Sequence, residues 1–352
     1  MRALGASRTS VVAGGILAGN WARDPLWKNA RAVPSLDLRF AENKLLTDAK
    51  TGASLVTFTR ASTGTYVGSD GLLQSATTNE ARFDHNPTTG ESLGLLVEEA
   101  RTNLLLNSAT LSTQSVTVAA AANTLSFYGT GTVTLTGVST AGPLVGTGAN
   151  NRVSLTFTPT VGVLVLTVSG SVTNAQLEAG AFATSYIPTA TATATRAADV
   201  ASITGTAFSS FYNQTEGTVF AEANVLSSSY STGVLWDLGA GGAFGSTEYI
   251  GWIGTGWQLG PNTAPINVAS SVSATLPSKI AAAIKLNNSI ISAGGLLGAL
   301  DTSCTVPASA SALTIGKGGW SGAGNHVNGT IKRLTYWPVR LANPTLVSIT
   351  TP

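Results

Sequence analysis

From Leu36 onward the chain is written as short runs of alternating residues that turn-forming residues keep interrupting. Leu36–Phe40, Leu55–Thr59, Leu125–Tyr128, Thr132–Thr136, Arg152–Thr158 and Val163–Val168 are period-two segments, several rich in β-branched residues, and alternation of this kind reads as strand. Asp70-Gly71 between Val67 and Leu72 has the composition of a two-residue hairpin turn, and Asn287-Asn288 between Leu286 and Ile290 reads as a hairpin turn. Further strands are expected at Gly233–Leu238, Tyr249–Ile253, Lys279–Leu286, Leu313–Gly316 and Thr330–Trp337. Strands this short and this regularly spaced predict an all-β chain of tandem antiparallel β-sandwiches of jelly-roll type, preceded by an extended N-terminal arm.

A chain of 352 residues exceeds one ordinary core, at about 150 residues per domain. The divisions read from the sequence are an anchoring arm over 1–35, a β-rich connector over 36–108, a jelly roll over 109–190, a linker over 191–214 and a sandwich over 215–352. The linker follows from the low-complexity threonine-alanine run that ends at Arg196. Trp21 and Trp27 are the aromatic anchors of the arm, which carries Arg2, Arg8, Arg23, Lys28 and Arg31 against Asp24 alone. A basic arm on a slightly acidic body suits docking to a partner of opposite charge. Only 10% of residues are charged, against about 25% in ordinary soluble proteins, so the surface is rich in hydroxyls and amides and fits a particle-bound scaffold. Cys304 has no partner for an intrachain disulfide, and His85 and His326 stand too far apart for zinc-type ligand spacing.

The densest stretch is Arg82–Ser108: a turn at Asn86-Pro87, an apolar strand over Leu93–Val97, the pair Glu98-Glu99, and a leucine block over Leu104–Leu106. Phe58–Thr63, the Tyr66–Leu73 hairpin, Arg82–His85 and the string Gly94–Leu104 together resemble a module of bacteriophage virion proteins, those described as tail fibre, minor tail or head-fibre proteins. That resemblance implies a tail-associated virion protein made in the host cytoplasm. It also implies a homotrimer whose arm meets other virion proteins of the tail, the portal region or the capsid. Thr173–Gly180 with Thr184–Pro188 resembles the last strand of carbohydrate-binding-module-like jelly rolls, implying a sugar-binding ancestry. Alternation turns most of Phe127, Tyr128, Phe157, Phe182 and Tyr186 inward, so this unit is expected to act as a spacer. Asn328–Trp337 resembles the final strand of concanavalin-like and laminin-G-like sandwiches.

Retaining glycosidases of that fold bring two carboxylates to one face about 5 Å apart. Glu216 and Glu222 lack the acidic residue between them that such a pattern needs, and no nucleophile elbow or phosphate-cradling lysine motif is present. No catalytic residue, metal site or cofactor is assigned. A sugar site needs an aromatic platform beside amide or carboxylate partners. Tyr249, Trp252, Trp257, Gln258, Asn262, Trp320, Asn325 and His326 meet that requirement by composition and are the candidate host-glycan contacts; Trp337 is assigned to the core. A net charge of +2 gives no sign of nucleic-acid binding, and no run approaches the roughly 20 apolar residues of a membrane span. Three readings stand: a tail adhesin, a head fibre or capsid decoration protein, and a polysaccharide depolymerase.

Overall fold

The structure, a computed structural model, describes residues 24–225, 233–239, 248–252, 256–260, 262–263, 266–267, 270–273, 278–306, 309–318 and 325–352. Two large antiparallel sheets face one another. The eight-stranded sheet runs Leu296–Leu297, Ile290–Ala293, Ser278–Lys285, Glu216–Val225, Gly329–Trp337, Ser92–Val97 and Phe83–His85, with Leu36–Leu38 also paired to Gly329–Trp337. The seven-stranded sheet runs Thr57–Thr59, Val200–Thr204, Ala312–Ile315, Gly233–Gly239, Glu248–Trp252, Gly256–Gly260 and Ser270–Ser273.

Alternation decides which layer each side chain enters. Along Glu216–Val225, Val219, Ala221, Ala223 and Val225 enter the core between the sheets, where they meet Trp236, Trp257, Ile315 and Leu334. Phe220 points the other way, with Ala281, Ala283 and Trp337, against Leu26, Trp27, Leu346 and Ile349 from two helices, Pro25–Ala30 and Asn343–Thr350. The eight-stranded sheet is therefore covered on both faces where it is widest, so neighbouring residues such as Phe220 and Ala221 are buried on opposite sides. Trp337 is fully buried, as expected of a core residue.

The predicted arm extends into this third layer. Asp24 caps the first helix by accepting from the Trp27 amide at 3.1 Å, and Pro25 occupies its first turn. Trp27 is 5% exposed and donates its indole N–H to Asp37 at 3.2 Å. Its ring is thus folded onto its own body and presents no face to another protein, while Lys28 and Arg31 remain exposed. Arg2, Arg8, Trp21 and Arg23 lie outside the described residues.

Strand pairing joins segments that are far apart in sequence. Leu36↔Tyr336 and Leu95↔Ile331 place both ends of the predicted connector in the same sheet as the C-terminal strand, and Thr57–Thr59 pairs Val200–Thr204 in the other. Residues 36–97 and 200–352 consequently share one core. The smaller sandwich has a four-stranded sheet over Gln114–Val118, Thr132–Gly137, Leu144–Val145 and Gly162–Ser169. Its second, three-stranded sheet is built from Asn123–Gly129, Gly148–Phe157 and Val172–Ala179. Around Leu125, Phe127, Leu135, Leu164 and Leu177 it builds a core of its own. It springs from a stem, Arg101–Asn103 paired with Ala194–Arg196, so the threonine-alanine run ends as a strand rather than a free linker.

Both predicted hairpins form, although the first closes through a longer loop than two residues, since Val67 pairs with Leu73. Gly64–Val67 pairs Leu73–Ala76 with Gly71 at φ +76°, and Ser278–Lys285 pairs Ile290–Ala293 with Asn287 at φ +55°. Gly94 marks a close backbone approach in the shared sheet. Its φ is +91°, and a Cβ there would stand 2.1 Å from the Ile331 carbonyl oxygen. Gly94→Ala is expected to lower stability by roughly 2–4 kcal/mol, read as a drop in the urea unfolding midpoint.

Candidate functional site

Where the stem meets the large sandwich, three guanidiniums and two carboxylates are closed to water. Arg60, Arg82, Arg196, Glu98 and Asp199 are each at most 1% exposed. Strand geometry brings them together: Arg82 precedes Phe83–His85, Glu98 follows Ser92–Val97, Arg196 ends the stem, and Asp199 precedes Val200–Thr204. Arg82 bonds Glu98 at 2.8 Å and also bonds Asp199, which receives Arg60 at 3.1 Å. Glu98 accepts from the Ser185 amide at 2.7 Å and the Ser185 hydroxyl at 2.6 Å, which ties the small sandwich to the cluster. Arg196 donates to the Glu99 carbonyl at 2.6 Å. Against the cost of its burial, Arg196, Arg82 and the Ser185 donors hold the Glu98 carboxyl down at about 2.

Beside this cluster a cleft of about 190 Å³ opens along the seam of the two sandwiches. Tyr66, Val67 and Leu73 form one wall, and Tyr128, Arg152 and Ala183 the other, with Asp84 and Leu96 between them. Asp84 uses Oδ1 to accept from the Val67 amide at 2.7 Å, and the backbone N–H of His85 also acts on this carboxyl. Burial is the largest influence on this carboxyl, reinforced by the charge of Glu98, and it is pushed up to about 6. Arg152 donates to the Thr184 carbonyl at 2.6 Å and the Ser126 hydroxyl at 2.8 Å, and makes no ion pair among the described residues. The Tyr128 hydroxyl likewise has no partner among them, and burial pushes that phenol up. The cleft thus offers an apolar floor, a carboxyl oxygen, a phenol and a guanidinium edge.

The glycan contacts predicted from sequence fall elsewhere. Trp257 is 0% exposed and packed between the two large sheets, closed to any ligand; Gln258, next to it, is half-buried. Asn325 and His326 are each 5% exposed, and the His326 ring bonds the Asp199 carbonyl at 3.1 Å. Burial, then the charge of Lys317, lowers the His326 imidazole to about 4, so it is neutral in the fold near pH 7. Tyr249, Trp252 and Asn262 lie on strands whose side chains are outside the described residues, and Trp320 is also outside them. Composition singled out tryptophans near amides, and in this fold that pairing also describes a core strand. The cleft residues carried a different signal: Arg152 and Glu178 are the only charged residues in the whole of Thr110–Pro188. An isolated charge in an apolar strand must be satisfied somewhere specific.

No family model matches the chain, and no curated protein matches it by sequence. Solved structures give partial likenesses. The carbohydrate-binding module CBM40 of the Ruminococcus gnavus IT-sialidase, bound to α2,3-sialyllactose, has a TM-score of 0.34 at 14% identity, covering 40% of this chain and 84% of that one. The NanB sialidase of Streptococcus pneumoniae gives 0.35 at 14% identity, covering 43% of this chain and 26% of that one. Trypanosoma rangeli sialidase with the inhibitor DANA gives 0.33 at 14% identity, covering 43% and 25% respectively.

Two outcomes follow from this chemistry. Asp199→Asn leaves three buried guanidiniums facing one carboxylate, and chemical denaturation should show about 3–5 kcal/mol of lost stability. For Asp84 the sign is opposite. Its folded-state pKa lies above the ordinary 3.8, so the fold holds its proton more tightly than the unfolded chain does. Its contribution to stability therefore falls as pH rises from about 4 to about 6. Asp84→Asn, a permanently neutral isostere, should melt above the parent protein at pH 7 and converge with it towards pH 4 in parallel thermal scans.

Proposed function

We propose that this chain is a structural protein of a bacteriophage particle, tail-associated, which binds a host-surface glycan without cleaving it. One observation carries the reading. The residues in which the sequence resembles phage virion modules include Arg60, Arg82 and Glu98; all three belong to the buried ion cluster, and Arg82 and Glu98 bond Ser185 of the small sandwich. The resembling string thus coincides with the architecture, not with a surface loop that unrelated chains acquire easily. A binding role is supported by the seam cleft, with its aromatic and aliphatic walls and few polar atoms. The non-catalytic part rests on the carboxylates there. Glu98 is fully committed to guanidiniums and Ser185, which leaves Asp84 without the free partner that a glycosidase pair requires.

Assembly into a homotrimer fits the exposed leucines of the sheet edge, Leu286, Leu296, Leu297 and Leu300, which a subunit contact would bury. Attachment through the arm fits the exposed cations Lys28 and Arg31. Antibodies against the purified chain, applied to particles of the parent phage and viewed by immunogold electron microscopy, test the assignment. Label on the tail is expected. Label confined to the head would replace the reading with capsid decoration, and unlabelled particles would remove the virion assignment altogether.

A further inference from the structure

The seam cleft has a size, a charge balance and a set of free polar atoms that specify a ligand more narrowly than a glycan in general. We propose that it is the sugar-binding site, and that it takes one neutral hexopyranose ring, with Asp84 and Tyr128 bonding its hydroxyls and Arg152 at its edge. The proposal rests on the glycan-binding part of the reading above and gives that part a place and a ligand class.

Size comes first. About 190 Å³ is below the range of pockets that enclose drug-sized molecules, so the cleft has room for one small ring and not for an oligosaccharide laid end to end. The walls suit the two aspects of a pyranose. Val67, Leu73, Leu96 and Ala183, with the rings of Tyr66 and Tyr128, meet its C–H faces. Its hydroxyl rim needs both donors and acceptors. The lone pairs of the Asp84 carboxylate that its backbone donors leave over accept, the Tyr128 hydroxyl does either, and Arg152 donates through the N–H groups that Thr184 and Ser126 leave over.

Charge selects against the alternatives. Arg152 contributes one positive charge with no ion pair among the described residues, and ionised Asp84 contributes one negative charge across the cleft. Behind them Arg82 and Glu98 are already bonded to each other. A neutral ligand leaves this balance intact. An acidic sugar would set a second carboxylate against Asp84, and a cationic ligand would meet Arg152; either juxtaposition costs free energy at short range.

Preorganisation is the remaining argument. Asp84 is fixed by the Val67 amide, Arg152 by Thr184 and Ser126, and the wall strand by Thr65 donating to the Tyr186 carbonyl at 2.6 Å. A ligand bound here orders little that is not already ordered. The site also needs both sandwiches, since Asp84 and Tyr66 come from the large one and Tyr128 and Arg152 from the small one.

The pH behaviour is specified as well. Glu98 and Arg82 behind Asp84, Arg152 and the Tyr128 phenol across from it, and Tyr66 and His85 beside it are the titratable groups around the carboxyl. As Asp84 takes up its proton on going from about pH 7.5 to about pH 5, it loses acceptor capacity and a neutral sugar should bind more weakly.

Ligand-observed NMR with the purified full chain tests this, using methyl α-glucopyranoside, methyl α-galactopyranoside and methyl α-mannopyranoside as probes and methyl glucuronide and N-acetylneuraminic acid as acidic comparators. At least one neutral glycoside should bind in the millimolar range, and neither acidic sugar should compete. Tyr128→Phe and Asp84→Asn should each weaken the bound glycoside by about tenfold, while thermal melting shows both variants folded. Lowering the pH to about 5 should weaken binding to the parent protein and leave Asp84→Asn unchanged. Three results overturn the proposal: no neutral glycoside binds, binding survives both substitutions, or an acidic sugar binds in preference. Each is independent of where gold label falls on the particle, so the site can fail while the virion assignment stands, and the reverse.

Discussion

Asp199 is the point on which the two sandwiches depend. Its carboxylate receives Arg60 and Arg82 and the Glu98 amide, its own amide donates to the Glu98 carbonyl, and its carbonyl meets the His326 ring. Five segments from across the chain converge there. A buried charge with so many partners is tolerable only when all of them are in place, because desolvation of each ion runs to several kcal/mol and good geometry alone offsets it. The network therefore contributes less to net stability than to uniqueness. A shifted register in any of these strands would strand a guanidinium in the interior.

Large parts of the fold were readable from local pattern. Period-two runs located the strands of the small sandwich, and Asp70-Gly71 and Asn287-Asn288 located hairpins, because alternation and turn chemistry act over a few residues. Partner choice was not readable in this way. The string Gly94–Leu104 looked like a passage between modules, and it is instead hydrogen bonded to residues 329–331 and pinned to Asp199. Nothing in an isolated strand announces which distant strand lies beside it. The third layer was hidden for a related reason: Phe220 and Trp337 show that the outer sheet face is apolar, but not that a helix begun by Asp24 will cover it.

The candidate site was less legible than the fold. Tryptophans near amides were sought as a platform, and Trp257 lies in the core while Asn325 and His326 are buried beside Asp199. The cleft residues are individually unremarked. Alternation sends Phe127 into the core of the small sandwich and its neighbour Tyr128 to the other face, where at 8% exposure it lines the seam. Outward in one sandwich can mean facing another. A site built by two units at their contact leaves no contiguous motif, and the lone charge of Arg152 was its one local trace.

The stem has a consequence of its own. Because Arg101–Asn103 and Ala194–Arg196 lie side by side, the intervening unit begins and ends at one place, the geometry of a cassette that can be exchanged without disturbing its host. Exchange is nevertheless restricted. Any replacement must return a donor pair to Glu98 where Ser185 now supplies an amide and a hydroxyl, or the glutamate is left with unmet acceptor capacity in a closed interior. The joint acts as a lock that admits only cassettes carrying the matching key, and diversity among such chains is expected to spread over the outer strands of the unit while its seam stays constant.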